Sequence, residues 1–303
     1  MASEEAERIR AQLFAEKGSP PSSLEDERAA SLQRASEREL PQGVEFTDGL
    51  IGGVECEWAA EPEPAGEGVF LFLHGGGYQN GAPVTHRALS AGIAKATHMR
   101  VLLPAYRLAP EHPFPAAVQD ALAVYGGILD AGIPAERVVV GGLSAGGGLA
   151  LALMLALRDA GAPLPGAAVL LSPWTDLTLS SQTYETLADV DPCITRDELR
   201  AAATRYLGEA RAEHPLASPL FAPLHGLPPI LIQVGAHEAM LGDSSRLAER
   251  VEAAGGFASL KVWPEMWHGW HQEAGVLPEA DAAIAEIGDF VREKSESQSA
   301  VAE

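Results

Sequence analysis

The sequence predicts an α/β fold, a mostly parallel central sheet with helices on both faces. From Val69 onward, short continuous apolar runs alternate with segments of helical length, each run bounded by turn residues. Strands buried on both faces of a parallel sheet read this way. At 303 residues, 47% hydrophobic and 21% charged, the chain also has the composition of an ordinary globular protein with a sizeable core.

The elements follow in order. Ile9, Leu13 and Phe14 fall on one face of a charged segment, which predicts a helix broken at Gly18-Ser19-Pro20-Pro21. A second, more polar helical stretch covers 24–40. V-E-F-T (44–47) and V-E-C-E-W (54–58) alternate as strands do, and Gly52-Gly53 between them marks a hairpin. Residues 60–68 form a loop of Glu, Pro and Gly. Strands are then expected at 69–73, 100–106, 138–143, 167–171, 230–234 and 258–263, with helices at 145–160 and 244–254. The interval between Leu171 and Ile230 is too long for an unstructured loop, which predicts a helical insertion there.

A formal net charge of -21 argues against nucleic acid or an anionic membrane surface as a partner, since both are bound through clustered Lys and Arg. Cys56 and Cys193 have no metal-ligand neighbours at useful spacing, so neither a disulfide framework nor a metal site is expected. The opening M-A-S-E-E-A-E-R is acidic, without the basic start and apolar core of a signal peptide. The longest nearly apolar stretch, 143–157, is too short to span a membrane. A cytoplasmic protein is the expectation.

One constellation carries chemistry. The strand at 138–143 runs into Gly142-Leu143-Ser144-Ala145-Gly146, with a helix behind it. This is G-x-S-x-G in the strand–turn–helix setting that makes Ser144 a candidate nucleophile. The following helix would aim its N-terminal amides at charge developing near that serine. Upstream, the strand at 69–73 ends in His74-Gly75-Gly76-Gly77-Tyr78, a loop whose backbone N–H groups a substrate can approach closely. With the N–H of Ala145 it makes a candidate oxyanion hole.

Such sites run serine, acid, histidine along the chain. That order excludes His74 as the base, leaving it as a brace for its own loop, and it excludes His237. Of nine histidines only His268 and His271 lie beyond both candidate acids. His268 sits in the loop after the strand at 258–263, beside Gly269, and is the expected base; His271 would begin the next segment. A His268-x-x-His271 metal pair has no third ligand suggested nearby. The acid should lie just past the strand at 230–234, where Glu238 and Asp243 compete. Asp243 directly precedes an apolar-periodic helix and reads as its N-cap. Glu238 is therefore the expected acid, with Asp243 as the alternative.

These residues, together with Y-R-L-A-P-E-H-P-F-P-A-A (106–117), A-S-P-L-F-A (217–222) and W-H-G-W (267–270), resemble the bacterial hormone-sensitive-lipase-like (family IV) carboxylesterases over about 44–290. The resemblance implies an α/β-hydrolase fold, with residues 44–171 and 219–303 as the catalytic domain. Residues 1–43 and the insertion 172–218 would form a helical cap. It implies hydrolysis of small-molecule esters of short to medium acyl chains, without a cofactor, and in many members pairing as dimers through an edge strand. By carry-over Ser144 is nucleophile, His268 base, and Gly76, Gly77 and Ala145 the oxyanion donors, with Gly75 ranked below them. The 106–112 stretch would brace the oxyanion loop, with Arg107 and Glu111 as a structural ion pair. Tyr78, Tyr184 and Tyr206 are candidates for the pocket wall, with packing as the competing explanation.

The chain departs from the family twice. Many relatives have Asp or Thr where Leu143 stands, and the acid position, commonly Asp-Pro-Leu, reads Glu238-Ala239-Met240. Two rival functions share these residues: a lactone or amide hydrolase with the same triad, and a non-catalytic ligand-binding protein on the same scaffold.

Overall fold

In the computed structural model, which describes residues 2–17, 23–64 and 68–302, eight strands form one sheet in the order β1-β2-β4-β3-β5-β6-β7-β8. β1 (Glu45–Ile51) and β2 (Val54–Ala60) are the expected hairpin, each longer than its alternating core suggested. β2 also runs antiparallel to β4 (Arg100–Pro104), which stops at Pro104 rather than at 106. β3 (Val69–Leu73), β4, β5 (Val138–Leu143), β6 (Ala167–Leu171), β7 (Ile230–Gly235) and β8 (Ala258–Trp263) are mutually parallel.

The pleat explains the unbroken apolar runs. Val69, Leu71 and Leu73 face one core while Phe70 and Phe72 face the other. Val138 and Val140 oppose Val139, and Ile230 and Ile232 oppose Leu231, in the same way. Helices α3 (Arg87–Thr97) and α9 (Pro278–Ala302) cover the Phe70 face through Leu89, Ile93, Ile284 and Ile287. Helices α4 (Ala116–Asp130), α5 (Ala145–Asp159) and α8 (Leu241–Ala253) cover the opposite face through Val124, Leu149 and Leu247. A strand with both faces covered has no polar period to show.

The insertion between β6 and β7 holds a one-turn helix, α6 (Thr183–Thr186), and α7 (Arg196–Leu207). At the start of α7, Thr195 and Glu198 form a reciprocal capping box. Two helices precede the sheet, α1 (Glu4–Glu16) and α2 (Leu24–Glu37). The predicted break at Gly18 to Pro21 lies outside the described residues, as does the 65–67 part of the loop expected at 60–68. α1 buries Ala6 and Ile9 against Met266, Trp267, Trp270 and Leu277, so it lies over the loop that follows β8. Arg28 of α2 donates to the carbonyls of Gln79 and Ala109 and pairs with Glu111, which fastens α2 over the glycine loop after β3. Among the described residues no helix is long and apolar enough to cross a membrane.

Register decides what meets at the carboxyl ends of the strands. Leu73 pairs with Gly142, Leu143 with Leu171, and Gly235 with Trp263. The loops after β3, β5, β7 and β8 therefore emerge along one edge of the sheet, where open α/β sheets gather their functional groups.

Candidate active site

Ser144 sits at the turn from β5 into α5 with φ 56° and ψ −120°. A non-glycine residue in that region is strained and is held there only by its surroundings. Its N–H donates to Leu171 O at 2.9 Å, while its carbonyl accepts from Gly148 N and Trp174 N. The turn is tight enough that a Cβ on Gly146 would lie 2.0 Å from Leu73 O, so the strand before the glycine loop abuts the elbow directly. The serine is 8% exposed.

His268 Nε2 lies 2.9 Å from Ser144 Oγ, and His268 Nδ1 lies 3.2 Å from Glu238 Oε2. The other oxygen, Glu238 Oε1, accepts the N–H of Gly235 at 3.1 Å, and the side chain is fully buried. Burial opposes charge on both partners. On His268 the Glu238 hydrogen bond, the Glu238 charge and the Asp191 charge outweigh burial, and its pKa is raised. On Glu238 burial prevails, aided by Asp191, over the stabilising contact with His268, and its pKa is raised as well. With Nδ1–H donated to the carboxylate, Nε2 is left to accept the serine proton.

The glycine loop is built to leave its later amides open. Gly75 N–H donates to His86 Nε2 at 3.0 Å. Among the described residues no hydrogen bond uses the N–H of Gly76 or Gly77, and Ala145, first in α5, has no partner within its helix. Gly76 has φ 121°, and a Cβ there would lie 2.1 Å from Asn80 O, so glycine is required. The His74 ring stacks on Tyr106 at 4.1 Å, and Tyr106 Oη donates to His74 O at 2.7 Å. The 106–112 stretch thus braces the loop, but its charges pair elsewhere than expected. Arg107 holds Asp120 of α4, and Glu111 holds Arg28 of α2, because helices from both directions present a nearer partner than the two residues offer each other.

Asp243 is not an N-cap. It lies inside the first turn of α8, fully buried, and its Oδ2 accepts from the N–H groups of Thr175 and Asp176 at 3.0 Å each. Tyr184 Oη donates to its Oδ1 at 3.0 Å. Burial and the nearby Asp176 push its pKa up to about 7. Asp243 ties α8 to the start of the insertion and does not meet His268. Tyr184 therefore has a hydrogen-bonding explanation, while Tyr78 and Tyr206, each 1% exposed, stack on each other at 3.7 Å. His237 Nδ1 faces Arg10 of α1, and His271 Nε2 faces Gln233 Oε1, so neither joins His268.

A cavity of about 780 Å³ opens over the glycine loop, with Leu13 and Arg34 of the first two helices, Gly76, His86 and Cys193 in its wall. His86, fully buried, was not singled out in the sequence; its role as acceptor for Gly75 depends on its being neutral. Burial pushes its pKa down to about 3, and those of His74 and His271 to about 4 and about 3. A folded-state pKa below the unfolded value of 6.5 gives stability that is complete above that value and lost as pH falls below it. Urea midpoints should therefore fall as pH drops from about 6.5 toward 4, each histidine contributing up to about 1.4 kcal/mol per pH unit. His271→Gln should show a shallower fall, and an unchanged slope would remove this explanation.

Comparison with known proteins agrees with the fold. Residues 70–272 match the profile of a family described as having an alpha/beta hydrolase fold. An acetyl-hydrolase of Streptomyces hygroscopicus is 44% identical over 242 residues, which cover 80% of this chain and 81% of that protein. A crystal structure of an esterase from the bacterial hormone-sensitive lipase family superposes with a TM-score of 0.94 at 41% identity, covering 97% of this chain and 99% of that one. The crystal structure of EstE5 soaked with p-nitrophenyl butyrate gives a TM-score of 0.93 at 39% identity over 97% of this chain and 100% of that one.

Proposed function

The chain belongs to this alpha/beta hydrolase family, in its hormone-sensitive-lipase-like branch, and is a carboxylic ester hydrolase; from that premise we propose that Ser144, His268 and Glu238 are its catalytic triad. The observation that carries the reading is the relay of 2.9 and 3.2 Å from serine through histidine to a buried carboxylate, beside amides free to bind an oxyanion. His268 Nε2 takes the Ser144 Oγ proton as that oxygen adds to the ester carbonyl. The N–H groups of Gly76, Gly77 and Ala145 hold the tetrahedral oxyanion, strengthened by the amino end of α5. The imidazolium, stabilised by Glu238, protonates the departing alcohol and leaves an acyl-serine. Water, deprotonated by the same histidine, releases the acid and restores the serine.

Residues 1–43 and 172–218 act as a cap over this site in the same reading, and the catalytic domain is 44–171 with 219–303. Dimer formation along the free edge of β8, where Val262 is 45% exposed, and a cytoplasmic location, which the unbridged Cys56 and Cys193 suit, belong to it as well.

The substrates we infer are esters of short to medium acyl chains, a class supported by a nucleophile that is only 8% exposed. Rates on p-nitrophenyl esters from acetate to palmitate should fall steeply beyond octanoate. Level rates out to palmitate would point to an open, lipase-like site instead.

A further inference from the structure

The residue after the proposed acid is held at both of its polar backbone groups by the insertion. Ala239 N–H donates to Asp191 Oδ2 at 2.9 Å, and Ala239 C=O accepts from Thr183 Oγ1 at 2.6 Å. Neither partner comes from the sheet that carries Ser144, Glu238 and His268. Asp191 is fully buried, and its Oδ1 accepts from Cys193 N at 2.9 Å and Ile194 N at 3.3 Å. Its own carbonyl accepts from Lys17, at the end of α1, which also binds Ala188 O. A continuous chain of hydrogen bonds therefore runs from α1 through the insertion to Ala239, one peptide from Glu238.

We propose that Asp191 is a positioning residue for the triad: with Thr183 it grips the Ala239 peptide, so that docking of the insertion sets the orientation of Glu238 behind His268. The inference rests on Glu238 being the triad acid. Glu238 has one backbone donor of its own, Gly235 N–H. The loop before Glu238 is tied toward β8 by Ala236 N–H to Trp263 O and His237 N–H to Met266 O, so that keeping Oε2 on Nδ1 calls for a matching constraint from the insertion side. Asp191 supplies that constraint and also places a negative charge near the imidazolium that forms during attack. Lifting the insertion leaves the Ala239 N–H without its acceptor and slackens the acid.

The groups around His268 allow the two contributions to be separated. Glu238 faces it from the loop after β7, Asp191 from the insertion, and His271 from its own segment, kept neutral by burial and by repulsion from His268. Lys17 of α1 reaches the Asp191 carbonyl, and burial, together with the charges of Asp191, Glu238 and Glu273, raises the pKa of the Cys193 thiol. Asp191→Asn keeps an acceptor but deletes the charge. It should lower kcat about tenfold to a hundredfold by loosening the acid, with KM little changed. The acid limb of kcat/KM, which reports His268 in the free enzyme, should move to lower pH because the imidazolium loses a stabilising anion. Thr183→Val removes the other grip without changing charge, and should lower kcat. Any movement of the limb there reports the loosened Glu238 alone, so the further shift in Asp191→Asn is the part due to the lost charge.

Wild-type kcat and pH profile in Asp191→Asn, alongside an inactive Glu238→Gln, would overturn this inference and leave the triad intact. Wild-type turnover in Glu238→Gln would remove the acid assignment itself. If Asp191→Asn does not fold, Thr183→Val decides alone, and an unchanged kcat there refutes the coupling.

Discussion

Ser144→Ala should lower kcat on a p-nitrophenyl ester by on the order of 10⁴-fold or more, with the protein still folded. That loss is about 5.5 kcal/mol of barrier. The alanine removes Oγ and nothing that holds the elbow, because the backbone bonds to Leu171, Gly148 and Trp174 stay in place. Hydrolysis remaining in the variant would come from His268 and the open amides acting on water, without an acyl-enzyme. A burst of p-nitrophenol in the wild type and its absence in the variant distinguish the two routes. Undiminished turnover would refute the nucleophile assignment.

Glu238→Gln is expected to cost on the order of 10³-fold or more in kcat. Glutamine matches the shape of glutamate but carries no charge to stabilise the imidazolium, and its amide nitrogen can turn toward Nδ1 and stabilise the wrong tautomer. Glu238→Asp should fall between the two, since the charge remains but the reach is one methylene shorter across a contact already 3.2 Å long. Asp243→Asn is the control. It should keep the chemistry and lose about 1 kcal/mol of stability. The amide oxygen can still accept from the Thr175 and Asp176 N–H groups, but the charge assistance is gone and an amide nitrogen replaces the oxygen that accepts from Tyr184 Oη. The denaturation midpoint reads that loss. An inactive but folded Asp243→Asn, with an active Glu238→Gln, would reverse the acid assignment.

The sequence was most legible where local pattern and chemistry coincide. Runs such as V-F-L-F-L at 69–73 declare strands buried on both faces, and chain order reduces nine histidines to two, of which the one in the loop after the last strand, His268, is found beside Ser144 Oγ. It was misleading where a residue's partner lies far along the chain. Asp243 has the look of a cap before a helix, yet its donors are Thr175 and Asp176, 68 and 67 positions away. Arg107 and Glu111 look paired because they are close in sequence, while α4 and α2 supply their partners. Asp191 left no trace, since nothing periodic links it to Ala239 at a separation of 48 residues. His86 was equally silent, although its acceptance of the Gly75 N–H gives a physical reason for ranking that glycine below Gly76 and Gly77 as an oxyanion donor.

The three proposed catalytic groups do not share one depth in the sheet. Ser144 follows β5, flanked on both sides by β3 and β6, whereas His268 follows β8, which pairs with β7 alone. An outermost strand is the part of a sheet that frays first. Loss of activity under heat or denaturant is thus a gauge of fraying at one border, and the interior can remain ordered after the enzyme has gone silent.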